Sequence, residues 1–280
     1  MRKIFITIFL FASFFNLSVF GDDGVLINGG TVDCRRITAS LKKNISVRDL
    51  TVNKYLVTKS EWDSFVTQTK KYDFYKLYLF GEDPITNFFK ESNLAMFGMT
   101  FLEACEFCNW KSRQEGLSEC YKISSSLNIQ NRYYNENGSM DLPKIEYIST
   151  SNGYRLPTED EWIYFSFGGL SGIKEKWWKK NPVESYAWTK MEWTSKPVGK
   201  LKANPYGLYD VFGNVWEWCW PENFTEVYGQ QKVPVLGGFW EIKKGSDIPK
   251  KVLTENENYY TEPLDRQYFG IRLVRNSDMK

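Results

Sequence analysis

The residue types that could do chemistry in this sequence are limited, because it has five cysteines and no histidine among 280 residues. Without histidine there is no Ser-His-Asp or Cys-His nucleophile. A zinc or iron site that depends on imidazole is excluded for the same reason. Any bound metal would be held by oxygen atoms or thiolates.

Two of the cysteines, Cys105 and Cys108, have the spacing Cys-x-x-Cys. Reactive pairs of this spacing lie at a helix N-terminus, where the helix dipole lowers the thiol pKa. The pair here falls inside a predicted helix, so we expect no redox function.

The five cysteines cannot all pair within one chain. Cys108 and Cys120 are the best candidates for a disulfide, because they flank a polar stretch that is typical of a helix end and a turn. In the alternative interpretation all five cysteines are buried thiols. We expect Cys219 to be buried in either case.

The first 21 residues have the pattern of a secretory signal peptide. Arg2 and Lys3 precede an apolar run over Ile4–Phe15, and Val19–Gly21 is an acceptable cleavage site. A membrane anchor is the alternative, but the run is shorter than the ~20 residues that span a bilayer. We therefore expect a mature chain of residues 22–280 without a transmembrane segment, exported to the periplasm, the cell surface or the medium.

Removal of this peptide also changes the charge balance. The whole chain has 36 basic and 34 acidic residues, and loss of Arg2 and Lys3 leaves 34 of each. A neutral chain lacks the cationic surplus that phosphate binding requires, so nucleic acid is not an expected partner. A local run of lysines around Trp177 and Trp178 is interpreted as a solvated face.

The elements that must position these residues begin with three short helices. Each starts with a capping box, in which a threonine and a glutamate three residues later bond each other's backbone N–H groups. The boxes are Thr58–Glu61, Thr100–Glu103 and Thr158–Glu161. Gly168 and Gly169 are expected to end the third helix.

Short strands are predicted over Ile45–Leu56, Val233–Trp240 and Phe269–Val274. The polar stretch Lys122–Gly153 is interpreted as a long excursion with one or two strands. The alternating tryptophans of Trp216–Trp220 are expected to pack in the core. Together these patterns predict a single α+β domain that is irregular and rich in loops.

Two long motifs resemble one known family. Tyr154–Trp162 resembles the Arg-Leu-Pro-Thr-Glu-x-Glu-Trp signature of the formylglycine-generating (sulfatase-modifying factor) family. Asn204–Trp218 resembles its Asn-x-x-Gly-Leu-Tyr-Asp-x-x-Gly-Asn-Val-Trp-Glu-Trp signature almost residue for residue. Shorter matches extend the resemblance over about residues 25 to 275. The resemblance implies a C-type-lectin-like α+β domain with short helices and short antiparallel strands.

The catalytic centres of this family are not implied for this chain. Members that make formylglycine carry two Cu(I)-binding cysteines shortly after a Gly-Gly-Ser motif, and the matching stretch Gly237–Gly245 contains no cysteine. A cuprous site needs thiolates. Another branch binds iron through histidines, which are absent. We therefore expect neither copper nor iron.

The resemblance does imply a calcium site. Carried over by position, Asp210 and Glu217 would supply side-chain oxygens, and Gly213 and Val215 would supply backbone carbonyls. Oxygen ligands suit a hard cation, whose role here would be structural. In the alternative interpretation, Asp210 and Glu217 cap backbone N–H groups without an ion.

The function predicted from these features is a non-catalytic ligand-binding or structural role, with a protein or a glycan as ligand. The same fold serves in variable proteins of diversity-generating retroelements, which display a ligand face near the C-terminus. By this analogy the face would comprise Trp240, Asn256, Glu257, Tyr259, Tyr260 and Arg266. The alternative is a formylglycine-generating oxidase acting on protein cysteine, in which Cys219 or Cys120 would have to reach the copper position.

Overall fold

The computed structural model describes residues 23–69, 91–124, 144–188, 194–227, 231–238, 242, 244–253, 260–261 and 268–277. The predicted signal peptide lies outside these residues. Among the described residues, no helix combines the length and the apolar character that crossing a membrane requires.

The described residues form five short α-helices, and the three predicted from capping boxes are among them. They are α1 (Lys59–Thr69), α2 (Phe101–Gln114), α3 (Glu159–Ser166), α4 (Gly169–Glu175) and α5 (Ile248–Val252). In all three boxes the threonine hydroxyl accepts from the glutamate N–H and the glutamate bonds the threonine N–H. These reciprocal bonds satisfy backbone donors that a helix start would otherwise leave unpaired.

The strands within the described ranges are two to four residues long and form four small sheets. In chain order they are β1 (Gly24–Ile27), β2 (Gly30–Asp33), β3 (Asn44–Val47), β4 (Leu50–Asn53), β5 (Tyr121–Ile123), β6 (Ile145–Tyr147), β7 (Trp216–Trp218), β8 (Glu226–Val227), β9 (Val233–Leu236), β10 (Tyr260–Thr261), β11 (Phe269–Gly270) and β12 (Val274–Asn276). The sheet orders are β1-β4-β12, β10-β9-β7-β11, β2-β3 and β5-β6-β8. All pairs are antiparallel except β7 with β11.

This arrangement confirms the predicted α+β class. The strands β4, β6, β9 and β11 lie within the predicted segments, and β3, β5 and β12 overlap their ends. The strands β1, β2, β7, β8 and β10 were not predicted. Two large apolar clusters form the core, one around α3 and α4 and the other around α2 and β7. Trp216, Trp218 and Trp220 are buried as predicted. Glu217 and Cys219 between them are also buried, so β7 is covered on both faces instead of alternating between core and solvent.

Candidate functional site

The loop between α4 and β7 carries the longest motif, and its start is fixed by one side chain. Asn204 is buried, and its Oδ1 accepts hydrogen bonds from the backbone N–H groups of Tyr206 (3.0 Å) and Leu208 (3.1 Å). Its Nδ2 donates to the carbonyl of Phe165 at 2.8 Å. The Asn204 amide therefore closes the turn on itself and ties it to helix α3.

The next part of the loop adopts backbone conformations that few residues tolerate. Asp210, Gly213 and Asn214 have φ of 55°, 79° and 64°, in the left-handed region that glycine, asparagine and aspartate enter most readily. The buried Asn214 amide exchanges two hydrogen bonds with the backbone of Lys196, at 2.9 and 3.2 Å. Such conformations are retained only where the surroundings fix them, and they concentrate at functional sites.

The carboxylate of Asp210 lies under this loop and is 2% exposed. Its Oδ2 accepts from the Gly199 N–H at 2.8 Å. The side chains of Trp188 and Asn214 approach the carboxylate, yet Oδ1 forms no hydrogen bond of normal geometry with the described residues. Burial raises the pKa of Asp210, and the Gly199 N–H and the charge of Arg272 oppose that shift.

The second motif carboxylate, Glu217, forms a fully buried ion pair with Arg272. Nη2 of Arg272 donates to Oε1 at 3.0 Å and its Nε donates to Oε2 at 3.1 Å. The indole Nε1 of Trp162 donates to Oε2 at 3.0 Å. Burial raises the pKa of Glu217, while the Arg272 charge and these hydrogen bonds lower it.

The Arg272 guanidinium also joins two segments of backbone. It donates to the carbonyls of Asn53 (3.2 Å), Lys54 (3.1 Å) and Tyr209 (2.8 Å). Arg272 therefore links the end of β4 to the motif loop and to β7. Sequence reasoning missed this role, although a charged residue inside the apolar run Phe269–Val274 signals a buried partner.

A second buried arginine, in the Tyr154–Trp162 motif, also links separate segments of the chain. Arg155 is 4% exposed and forms a bidentate pair with Glu161, at 2.6 and 2.7 Å. Burial raises the pKa of Glu161, but the Arg155 charge and hydrogen bonds outweigh burial and hold that pKa below its ordinary value. Arg155 also donates to Oδ1 of Asn276 on β12, so the motif fastens α3 to the C-terminal strand.

The predicted calcium ligands meet only in part. Asp210 and Glu217 are close enough for the charge of Asp210 to raise the pKa of Glu217. Asp210 Oδ1 forms no hydrogen bond of normal geometry with the described residues, whereas both oxygens of Glu217 bond Arg272 or Trp162. Within the described ranges, no group of three or more acidic or cysteine side chains is arranged to hold a metal ion. The ligand set stays a prediction, with Asp210 as the member that fits.

The cysteines are free, buried thiols in this structure. Cys105 and Cys108 lie inside α2, as predicted, and burial raises their pKa values well above the ordinary value. Cys120 lies near Cys108, because the Asn109 side chain bonds both the N–H and the carbonyl of Tyr121. The disulfide between Cys108 and Cys120 stays a prediction.

The predicted ligand face lies almost entirely outside the described residues. Tyr260, in β10, is described for its backbone alone, and the other five positions fall outside the described ranges.

The segment after the Gly237–Gly238 turn is where the resemblance would require thiolates. The turn is anchored by Gly237, whose N–H donates to the Val252 carbonyl at 3.1 Å. Ile242 follows it, is 2% exposed and belongs to the same apolar cluster as helix α5. The subsequent residues Lys244–Pro249 form one wall of a pocket of about 470 Å³. The segment thus supplies apolar packing and a pocket wall.

Comparisons with known proteins agree with the fold and the motifs. The family model described as "Sulfatase-modifying factor enzyme 1-like domain" matches residues 15–277. Chaperone protein LppX of Paenibacillus barcinonensis is 30% identical over 258 residues, which cover 85% of this chain and 82% of that relative. A formylglycine-generating enzyme of Mycobacterium tuberculosis is 37% identical over 96 residues, 29% of this chain and 30% of the enzyme. The crystal structure of CarF is similar to this structure, with a TM-score of 0.61 and 21% sequence identity. The match covers 91% of this chain and 98% of CarF.

Proposed function

The chain belongs to the sulfatase-modifying factor family, and we propose that it is an exported, non-catalytic binding protein built on that family's scaffold. The observation that carries the proposal is the segment after Gly238. In formylglycine-generating members the corresponding stretch bears two copper-binding cysteines, whereas here Ile242 packs into the core and Lys244–Pro249 line a pocket. No cysteine follows Cys219 in the sequence.

The remaining cysteines do not compensate for this absence. Cys219 lies opposite Pro234, on the part of β9 distant from the Gly237–Gly238 turn, and belongs to the core. Cys120 lies in the other apolar cluster, with Cys105 and Cys108. Cys34, the fifth, also lies in the core. Burial raises the pKa of all five thiols, and a cuprous ion needs thiolates. These positions support a binding role over an oxidase.

A protein is the ligand class that the comparisons favour. The relative that matches most of this chain is named a chaperone protein, and a chaperone acts by binding another polypeptide. By that likeness, we propose that this chain binds a partner protein after export, and a glycan becomes the second candidate ligand.

Calcium belongs to the same proposal as a structural ion. Asp210 would hold it together with the backbone carbonyls of Gly213 and Val215, because Asp210 Oδ1 is buried and without a hydrogen bond of normal geometry from the described residues. The ion would steady the left-handed backbone of the motif loop. Glu217 would contribute only if a lone pair remains free beside its bonds to Arg272.

Two measurements on the mature protein separate binding from catalysis. In the first, the protein is loaded with Cu(I), incubated with a Cys-x-Pro-x-Arg peptide and analysed by mass spectrometry, beside an active formylglycine-generating enzyme. We expect no conversion of cysteine to formylglycine. Conversion above that seen with Cu(I) alone would show that the protein is an oxidase and would overturn the proposal.

The second measurement follows light scattering while a reduced model protein unfolds and aggregates. We expect the mature protein to lower the scattering in proportion to its concentration, and serum albumin at equal mass to have less effect. Equal suppression by albumin would reject the chaperone-like role. Export is tested by measuring the intact mass of protein recovered outside the cytoplasm. This mass should correspond to a chain that begins at Asp22.

A further inference from the structure

The pocket behind the Gly237–Gly238 turn has a preformed apolar floor. It lies between the two 3-10 turns Trp177–Lys179 and Val183–Ser185 on one side and Lys244–Pro249 on the other. Trp178 and Tyr186 form part of the floor, and each is 3% exposed. The Tyr186 hydroxyl donates to the Trp178 carbonyl at 2.6 Å, and the Trp178 ring packs edge-on against Phe167. The floor is therefore held in place by contacts within the protein itself.

Lysine side chains surround the opening of this pocket. Lys179 and Lys244 line it and are exposed. Lys202 reaches the same rim, where its Nζ is 3.5 Å from Oδ1 of Asn181. Two acidic residues, Glu184 and Asp247, also line the pocket. The Glu184 carboxylate lies 3.8 Å from the Lys244 ammonium, a distance that leaves both groups mostly solvated.

The positive charge extends beyond the rim. Residues 174–184, 200–202 and 244–251 together carry nine lysines and three acidic residues. The predicted mature chain is neutral, with 34 basic and 34 acidic residues, so this surplus of six charges belongs to one region of the surface. A net positive field around a pocket attracts and orients a ligand of the opposite charge.

We propose that this pocket binds an acidic segment of a partner protein, with an aromatic or aliphatic side chain inserted against Trp178 and Tyr186 and carboxylates set against the lysine rim. The inference rests on the proposed binding function and names its ligand chemistry. A volume of about 470 Å³ falls in the range of small-ligand pockets and accommodates one or two side chains. An apolar anchor with a complementary charged rim is a common arrangement in protein recognition.

The test uses a fluorescent 12-residue peptide (about the length of a short linear motif) with a central Trp-Leu pair between aspartates and glutamates. Fluorescence anisotropy measures its binding to the mature protein at low and at physiological salt. One comparison peptide has lysine in place of every acidic residue, and another has alanine in place of the Trp-Leu pair. We expect the acidic apolar peptide to bind most tightly and to weaken as salt rises.

The matched variants change exposed lysines only, so folding is preserved. The double change Lys179→Glu and Lys244→Glu should weaken binding of the acidic peptide roughly tenfold. Lys42→Glu, which reverses an exposed lysine on the β2–β3 connection, should leave binding unchanged. Thermal unfolding of each variant checks that the fold is intact.

Three outcomes would overturn the inference. They are equal binding of the lysine peptide, no effect of the rim variant, and tighter binding to phosphatidylserine vesicles or single-stranded DNA than to the acidic peptide. The aggregation assay separates this failure from failure of the proposed function. If the rim variant suppresses aggregation as well as the wild type, the protein is a binding protein and its site is elsewhere.

Discussion

Replacing Arg272 with methionine should cost the fold several kcal/mol, by an amount that depends on pH. Arg272 is fully buried and makes five hydrogen bonds, two to Glu217 and three to backbone carbonyls. Methionine fills much of the same volume but carries no donor. The change therefore leaves a buried carboxylate without its counter-ion and removes the guanidinium donors from three carbonyls. The Lys54 carbonyl still accepts from the Tyr209 N–H at 3.0 Å.

The size of the effect follows from the ionisation of Glu217. Without Arg272 the carboxylate avoids a buried charge by binding a proton. From an ordinary pKa of 4.5, protonation at pH 7 costs about 1.36 × 2.5, or ~3.4 kcal/mol. Loss of donors to the carbonyls adds about 1–3 kcal/mol. The expected total is ~4–6 kcal/mol, close to the range for breaking a buried ion pair and a large part of an ordinary domain's stability.

The pH dependence of this stability loss tests the reasoning more specifically than its size at one pH. In the variant the folded-state pKa of Glu217 lies well above its unfolded value. Stability is then fully present below the unfolded pKa and is lost as pH rises toward the folded pKa. At pH 5 the protonation cost is only ~0.7 kcal/mol, so the variant should recover up to about 2.7 kcal/mol relative to wild type between pH 7 and pH 5. The wild type gains less over this range, because Arg272 opposes the rise of its Glu217 pKa.

Urea unfolding followed by tryptophan fluorescence at pH 5 and pH 7 measures both quantities. Adding Glu217→Gln to the variant removes the titrating group, so the double variant should lose the extra pH dependence. Arg113→Met removes an exposed arginine that pairs with Glu119 and should change stability by less than ~0.5 kcal/mol. If Arg272→Met does not fold at pH 7, the pH 5 measurement still reports the carbonyl contribution. A loss below ~1 kcal/mol, or a loss equal at both pH values, would refute the reasoning.

Three further predictions concern other parts of the structure. Calcium at 100 times its dissociation constant should stabilise the fold by about 2.7 kcal/mol, and thermal unfolding should show no such gain in Asp210→Asn. Protein recovered from an oxidising compartment and then denatured should alkylate three of its five thiols, whereas Cys120→Ser should alkylate four, because Cys108 is then unpaired. Arg155 holds the Glu161 pKa low, so stability from this pair is present above pH ~4.5 and is lost as pH falls through the folded pKa. Glu161→Gln should reduce the loss of unfolding free energy that urea titrations measure below pH ~4.5. An unchanged loss over that pH range would contradict the assignment.

The parts of the fold that sequence reasoning predicted are those fixed by neighbours in the chain. A capping box joins residues three apart, so Thr58, Thr100 and Thr158 each marked a helix start that the structure confirms. Strand segments were found by composition and alternation for the same reason. Helix α4 was missed, because Gly168 and Gly169 were interpreted only as the end of the preceding helix. Gly168 does end it, in the left-handed conformation (φ 81°), but a new helix begins directly at Gly169.

The parts that sequence reasoning missed depend on partners far along the chain. Glu217 and Arg272 are 55 residues apart, and no local pattern pairs them. Glu217 was predicted as a cation ligand on the resemblance, whereas its described partner is a guanidinium. The pocket was also missed, since its walls come from segments about 60 residues apart, and the lysines around it were interpreted as a solvated face.

The residues that carry the family resemblance are occupied in holding the fold together. Asn204 and Asn214 satisfy backbone groups of the motif loop, Glu217 neutralises a buried arginine, and Arg155 with Glu161 fastens α3 to β12. None of these tasks involves a reacting substrate, so two nearly intact motifs identify the scaffold without implying the family's chemistry. What distinguishes this chain is the segment after Gly238, where apolar packing and a lysine-rimmed pocket occupy the stretch in which other members bind copper. Whether an acidic partner binds there, as we propose, is accordingly the measurement that tests the function assigned to this segment.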